Sequence, residues 1–146
     1  MFQQGSTYIH CGSDKFDITK FEKVKNFIGY SKPIDGGLWA SPVNSKYAWK
    51  EAPVIKRLQD KKSFSFKISD SAKILKIEKK EDLINLPRTI EDGKGMFNIS
   101  LDFEKISQEY DMIYCNAIPG SELDKLLPKW ECECILVMNP QIIIPY

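Results

Sequence analysis

The stretch Trp130-Glu131-Cys132-Glu133-Cys134-Ile135-Leu136-Val137-Met138-Asn139-Pro140 decides the fold class of this chain. Its apolar part, Ile135 to Met138, is short and is bounded by acidic residues before it and Asn-Pro after it, which predicts a buried β-strand. Side chains alternate along a strand, so Glu131 and Glu133 are expected to project from one face where the strand begins. Acidic residues at a strand end are usually solvent-exposed charge, so a functional role needs support from other segments.

Other short elements surround this strand in the sequence. Strands are predicted at Tyr8 to Cys11, Gly37 to Ser41, Phe64 to Ile68, Ala72 to Ile77, Met112 to Cys115 and Ile142 to Ile144. Helices are predicted from Ser45 towards Glu51, from Glu81 to Leu86, from Leu101 to Glu109, and from Glu122 to Leu127 with Ser121 as the cap. Many short strands with a few short helices indicate an α+β fold that is rich in antiparallel pairs.

Length and composition predict one globular domain that spans residues 1–146. A chain of 146 residues is long enough to bury a substantial core, and its hydrophobic content of 42% is that of a folded protein. The formal net charge is only +1, so no overall field would recruit nucleic acid or a membrane surface.

The four cysteines and the single histidine argue against a metal site. The cysteines contain no Cys-x-x-Cys pair, so no zinc site is predicted. The chain shows no signal-peptide pattern and no apolar run of the roughly 20 residues that a membrane-spanning helix needs. We therefore expect a cytoplasmic protein whose cysteines are reduced thiols.

Two earlier segments carry further candidate residues. In Tyr8-Ile9-His10-Cys11-Gly12-Ser13, the histidine could bind a hydroxyl group while Gly12 lets a ligand approach the backbone. In Gly36-Gly37-Leu38-Trp39-Ala40-Ser41-Pro42, Trp39 and Ser41 share a strand face and offer an aromatic surface and a hydroxyl. Each residue also has an ordinary structural interpretation, as a core side chain or, for Ser41, as a turn residue.

The three segments together resemble the ADP-ribosyltransferase superfamily, and they do so over nearly the whole chain. The shared order is histidine on an early strand, Gly-Gly-Leu-Trp-Ala-Ser-Pro on a second strand, and Trp-acid-x-acid followed by Asn-Pro on a late strand. More closely, the chain is similar to small bacterial and phage ADP-ribosyltransferase-like proteins. The resemblance implies a split antiparallel β core with short flanking helices, in which the three strands converge on a central cleft lined by His10, Trp39 and Glu133.

The resemblance also implies the substrate and the site. NAD would be the substrate and would contact His10, Cys11, Gly12, Trp39, Ser41 and Tyr47. Cys11 departs from the family pattern because it separates His10 from Gly12, and no tyrosine stands on the second strand, so Tyr47 or Trp49 would supply the other wall of a nicotinamide pocket.

The catalytic residues implied by the resemblance are Glu133 and Glu131. Cleavage of the bond between nicotinamide and ribose develops positive charge on the sugar, and a fixed Glu133 carboxylate would stabilise that charge in the transition state. Glu131 would orient or deprotonate the incoming acceptor. Glu-x-Glu belongs to the arginine-modifying class and His10 to the other class, which leaves the acceptor open, although a protein is favoured over nucleic acid.

Three functions remain open from the sequence. The first is a mono-ADP-ribosyltransferase with NAD hydrolysis as a side reaction, toxin-like and acting in the cytoplasm of its own cell or of a host cell. The second is a non-catalytic module that binds NAD or a protein and acts as an inhibitor or sensor. The third, removal of an RNA 2′-phosphate with NAD, would need several cations at the cleft, and the three segments supply none.

Overall fold

The protein is described here from a computed structural model, which describes residues 2–11, 13–26, 32–33, 35–45, 62–89, 100–127, 130 and 133–145. The strands in this part of the chain are β1 (Tyr8–Cys11), β2 (Leu38–Pro42), β3 (Ser63–Ile68), β4 (Ile74–Ile77), β5 (Met112–Asn116), β6 (Glu133–Val137) and β7 (Ile143–Pro145). The α-helices are α1 (Phe103–Glu109) and α2 (Glu122–Leu126). Single 3₁₀ turns lie at Ile18–Lys20, Lys80–Leu83 and Pro140–Ile142.

The strands form one mixed sheet in the order β4-β5-β6-β2-β1-β3-β7. The sheet is curled into a half-barrel with few helices, so the predicted α+β class is confirmed. Five of the six neighbouring pairs are antiparallel, and the pair β4–β5 is parallel. A parallel pair needs a crossover connection, and α1 lies in the segment between these two strands. The sheet is therefore rich in antiparallel pairs, as predicted, and the parallel pair β4–β5 at one edge was not predicted.

Both faces of the central strands are covered by apolar side chains. We call one side the Trp130 face, since Trp130, α1 and α2 pack there against Ile113, Cys115, Cys134 and Leu136. We call the other side the Tyr8 face, which carries Tyr8, Ala40, Phe66, Met112, Tyr114, Ile135 and Val137. Burial on both faces explains why β5 and β6 read as unbroken apolar runs rather than as an alternating pattern.

Strand β6 begins two residues before the apolar run Ile135 to Met138. β6 starts at Glu133 and is followed by four buried residues, Cys134 to Val137. Cys134 packs in the Trp130 face and is fully buried, on the side of the strand opposite Glu133. Cys134 lies directly opposite Cys115 on β5, and these two cysteines and Cys11 are present as thiols.

Two of the predicted helices are confirmed and one is corrected. Ser121 caps α2 by accepting a hydrogen bond from the backbone N–H of Asp124, and α1 begins behind the cap Asp102. The helix predicted from Glu81 to Leu86 is instead a 3₁₀ turn over Lys80–Leu83. Its backbone bonds join residues three apart, as in the N–H of Ile84 to the carbonyl of Glu81, which is the 3₁₀ pattern rather than the α-helical one.

The helix predicted from Ser45 towards Glu51 lies almost wholly outside the described residues. Within the described ranges, no helix is long and apolar enough to cross a membrane.

Candidate active site

Glu133 stands at the first position of β6, with its side chain on the Tyr8 face. It lies opposite Asn116 of β5, and its carboxylate is half-buried. The hydroxyl of Tyr114, two residues before Asn116, donates a hydrogen bond to Oε2 of Glu133. Side chains diagonally opposed on neighbouring strands are within reach of a long aromatic residue, which is how this contact forms.

Two tyrosines flank the Glu133 carboxylate, and both have raised pKa values. Burial, followed by the hydrogen bond to Glu133 and the negative charge of that residue, raises the pKa of Tyr114 well above its usual range. Burial and then the charge of Glu133 raise the pKa of Tyr8 to about 12, against the opposite effect of a hydrogen bond with Ser6. Both phenols therefore remain neutral at physiological pH and can act as hydrogen-bond donors.

A cleft of about 240 Å³ opens beside Glu133. Apart from Glu133, its described lining consists of uncharged side chains, most of them polar: Gln3, Ser6, Thr7, Tyr8, Pro42, Asn44, Ser45 and Tyr114. Such a surface can hydrogen-bond a polar ligand, and within the described lining the carboxylate is the one charge that can meet a cationic centre.

His10 is fixed by a hydrogen bond to the neighbouring strand. Its Nδ1 lies 2.7 Å from the backbone carbonyl of Trp39. A carbonyl oxygen can only accept, so Nδ1 carries the hydrogen of this contact, and in the uncharged tautomer that fits it Nε2 is the acceptor. The ring also packs against Phe64, with 5.2 Å between the ring centroids.

His10 borders a second cleft, of about 330 Å³. Its described lining combines aromatic rings, two glycines and charges of both signs: His10, Ser13, Asp14, Lys15, Phe16, Asp17, Lys20, Phe21, Glu22, Gly36, Gly37, Leu38 and Phe64. Gly36 is required there because its φ is +84° and a Cβ would lie 1.9 Å from the carbonyl oxygen of Lys23. The glycine pair thus allows the backbone to close tightly at the edge of this cleft.

The register of the strands sets the relation of His10 to Glu133. Tyr8 on β1 pairs with Pro42 on β2. The β2–β6 register, continued to the start of β6, places Glu133 level with Pro42 on the other side of β2. His10 lies two residues after Tyr8 on β1, so both side chains are on the same face of the sheet. The Cα atoms of His10 and Glu133 are two strand spacings apart across the sheet and two residues apart along the strands. This corresponds to about 12 Å over the sheet surface. The two side chains share a face, and each borders its own cleft.

Trp39 and Ser41 are on the opposite face of the sheet from His10 and Glu133. Ser41 pairs with Ile9, Trp39 pairs with Leu136, and Leu136 belongs to the Trp130 face. Trp39 packs edge-on against Trp130, with 4.9 Å between the ring centroids, and Ser41 is fully buried. The expectation that Trp39 lines a common cleft with His10 and Glu133 is therefore wrong. Alternation correctly grouped Trp39 with Ser41, but the pairing register decides which face they share.

The other predicted contact residues are partly beyond what the structure describes. Cys11 is half-buried, lies opposite Ser63, and alternates to the face away from His10. Gly12, Tyr47 and Glu131 lie outside the described residues, as does Trp49, so their predicted roles stay predictions.

Sequence reasoning missed Tyr114, whose hydroxyl donates a hydrogen bond to Glu133. A signal was present, because Tyr114 stands inside the apolar run of β5 and a buried tyrosine hydroxyl usually finds a hydrogen-bond partner. The sequence alone could not indicate that this partner is Glu133, since the register of β5 against β6 is not written in either segment.

Comparison of the sequence with known protein families and curated proteins, and of the fold with solved structures, gave no significant match. Among the described residues, no group of three or more His, Cys, Asp or Glu side chains is arranged to hold a metal ion.

Proposed function

We propose that this protein is a NAD-dependent mono-ADP-ribosyltransferase that modifies a macromolecular acceptor, a protein rather than nucleic acid, with NAD hydrolysis as a side reaction. The observation that supports it best is the placement of His10 and Glu133. These residues are far apart in sequence, yet they project from one face of the sheet, and each borders a cleft.

Glu133 has the chemistry that the first step needs. Loss of nicotinamide leaves an oxocarbenium-like sugar, and a carboxylate fixed beside it lowers the energy of the transition state more than that of the ground state. The hydrogen bond from Tyr114 restrains the carboxylate, and the neighbouring cleft gives a ligand access to it.

His10 has the chemistry to hold the substrate. With Nδ1 donating to the carbonyl of Trp39, its Nε2 can accept a hydrogen bond from a ribose hydroxyl. Phe16, Phe21 and Phe64 in the same cleft offer apolar surface to a planar ring. A dinucleotide is longer than the roughly 12 Å between His10 and Glu133 on the sheet, so one NAD molecule could reach both.

The proposal extends to the fold and to the second glutamate. Strand β2 joins β1 and β3 to β5 and β6, which is compatible with the split core of an ADP-ribosyltransferase-like domain. Glu131 would lie towards the acceptor and would receive the N–H groups of a guanidinium or similar nucleophile.

A second function, a non-catalytic module that binds NAD or a protein partner, has its own support. His10 and Glu133 border separate clefts, and Trp39 and Ser41 face the other way. In this alternative the ligand would occupy the His10 cleft and Glu133 would not contact a reacting atom.

Incubation of the purified protein with NAD labelled in the adenosine half, with and without cell extract, tests the proposal. We expect label to enter macromolecular material and to appear as ADP-ribose. The Glu133→Gln variant should do both about a hundredfold to a thousandfold more slowly, whereas Glu109→Gln, which changes an exposed glutamate on α1, should behave as wild type. Binding of NAD without release of nicotinamide would support the binding module, and the absence of both would contradict the transferase and the NAD-binding module alike, which leaves only a module that binds a protein.

A further inference from the structure

We propose that Tyr114 is a positioning residue that holds the Glu133 carboxylate in its reactive orientation, an inference that rests on the proposed function. It is carried by the hydrogen bond from the Tyr114 hydroxyl to Oε2 of Glu133 across two neighbouring strands. For Tyr114 to hold the carboxylate in place, its hydroxyl must be more rigid than the Glu133 side chain.

Tyr114 meets that requirement. The residue is 1% exposed, it lies in the middle of a strand buried on both sides, and the edge of its ring meets Phe2 at 5.4 Å between centroids. Its hydroxyl position depends on only two side-chain torsions, both limited by this packing. Glu133 is instead the first residue of its strand and half-buried, with one more torsion than a tyrosine. The fixed hydroxyl can therefore determine where the carboxylate points.

The donor is also permanently available. Burial and the neighbouring carboxylate raise the pKa of Tyr114 far above neutral, so the phenol keeps its proton wherever the enzyme would work. A hydrogen bond from a neutral donor to a carboxylate orients it without cancelling its charge, and that charge is what stabilises an oxocarbenium-like sugar.

Tyr8 does not have the same role, although it faces the same carboxylate. Its hydroxyl is hydrogen-bonded with Ser6, and Glu133 acts on it through charge alone. The proposal therefore assigns the positioning role to Tyr114.

The test is the Tyr114→Phe variant, which removes the hydroxyl and leaves the packed ring in place. We expect kcat for nicotinamide release to fall about tenfold to a hundredfold, the usual effect of losing a hydrogen bond to a charged group. The KM for NAD should change less than about twofold, because the interaction serves the transition state rather than binding. The matched control is Tyr110→Phe, the same chemical change at the end of α1 on the Trp130 face, and it should leave kcat unchanged.

A double variant separates positioning from a merely structural role. In the Glu133→Gln background, Tyr114→Phe should reduce the residual rate by less than about twofold, since the carboxylate it positions is gone. An equal loss in both backgrounds, or a fall in kcat that follows a lowered Tm, overturns the proposal. Unchanged kcat in Tyr114→Phe with an active wild type overturns this inference alone, whereas a wild type that does not cleave NAD overturns the proposed function and this inference with it.

Discussion

Replacing Tyr8 with phenylalanine should reduce the loss of stability of this protein at alkaline pH. The pKa of Tyr8 is raised to about 12 in the folded state, by burial first and by the charge of Glu133 second. In the unfolded chain a tyrosine has a pKa of about 10. Above that pH the unfolded chain loses the proton while the folded state keeps it, so rising pH favours unfolding. The stability that the folded state has while Tyr8 is protonated in both states is fully present below about pH 10, and it is lost as the pH rises towards about 12.

The size of the effect follows from the two pKa values. Their difference corresponds to roughly 2.7 kcal/mol in total, of which about 1.4 kcal/mol is lost by about pH 11. Urea denaturation of the wild type and of Tyr8→Phe between about pH 8 and about pH 11 measures it. Lysine titration is common to both proteins and cancels in the comparison. The free energy of unfolding of the wild type should fall by about 1.4 kcal/mol more than that of the variant, and parallel curves would mean that folding does not raise the pKa of Tyr8.

The same assay examines the charge next to Tyr8. Glu133→Gln removes the second cause of the raised pKa, while burial, the larger cause, remains. The extra alkaline loss of stability should therefore shrink in this variant without disappearing. Because Glu133 also raises the pKa of Tyr114, the part that belongs to Tyr8 is the difference between Glu133→Gln with and without Tyr8→Phe. If that difference equals the one between wild type and Tyr8→Phe, the Glu133 carboxylate does not lie close to Tyr8.

Three further predictions concern the core, a backbone position and the acceptor. Trp130→Ala should lower the free energy of unfolding by about 3–5 kcal/mol in chemical denaturation, because the ring is fully buried against Trp39 and its loss leaves a cavity; less than about 1 kcal/mol would contradict this packing. Gly36→Ala should lower Tm by several degrees and weaken NAD binding in calorimetry, since the added Cβ would collide with the carbonyl of Lys23; wild-type values for both would count against the tight turn. Glu131→Gln should impair transfer to the acceptor while sparing NAD hydrolysis, and equal loss of both activities would remove its proposed role.

Much of the sheet could be predicted because its strands are short and strongly patterned. Tyr8–Cys11 was predicted with its observed bounds, and Phe64, Phe66 and Ile68 alternate as a half-buried strand should. The parallel pairing of β4 with β5 could not be predicted, since it depends on how the chain crosses over rather than on either strand. The 3₁₀ turn at Lys80–Leu83 could not be distinguished from an α-helix in the sequence because both have similar composition over one turn.

The candidate site was predicted in part, and strand register set the limit. His10 and Glu133 were grouped through the family resemblance of their segments; in the structure they share a face of the sheet and border separate clefts. Trp39 was placed on the wrong side because a shift of one residue between β1 and β2 reverses the face of every side chain. Tyr114 was overlooked because its partner lies on a different strand, and only the paired strands reveal the contact.

The most direct test of the central claim is the rate of nicotinamide release from NAD by the wild type and by Glu133→Gln, measured side by side with NAD binding. We expect measurable turnover by the wild type, a loss of about a hundredfold to a thousandfold in the variant, and NAD affinity within a few-fold of wild type. Wild-type turnover in Glu133→Gln would contradict the catalytic role of this carboxylate. Tight binding of NAD without any release by the wild type would leave the binding module as the function.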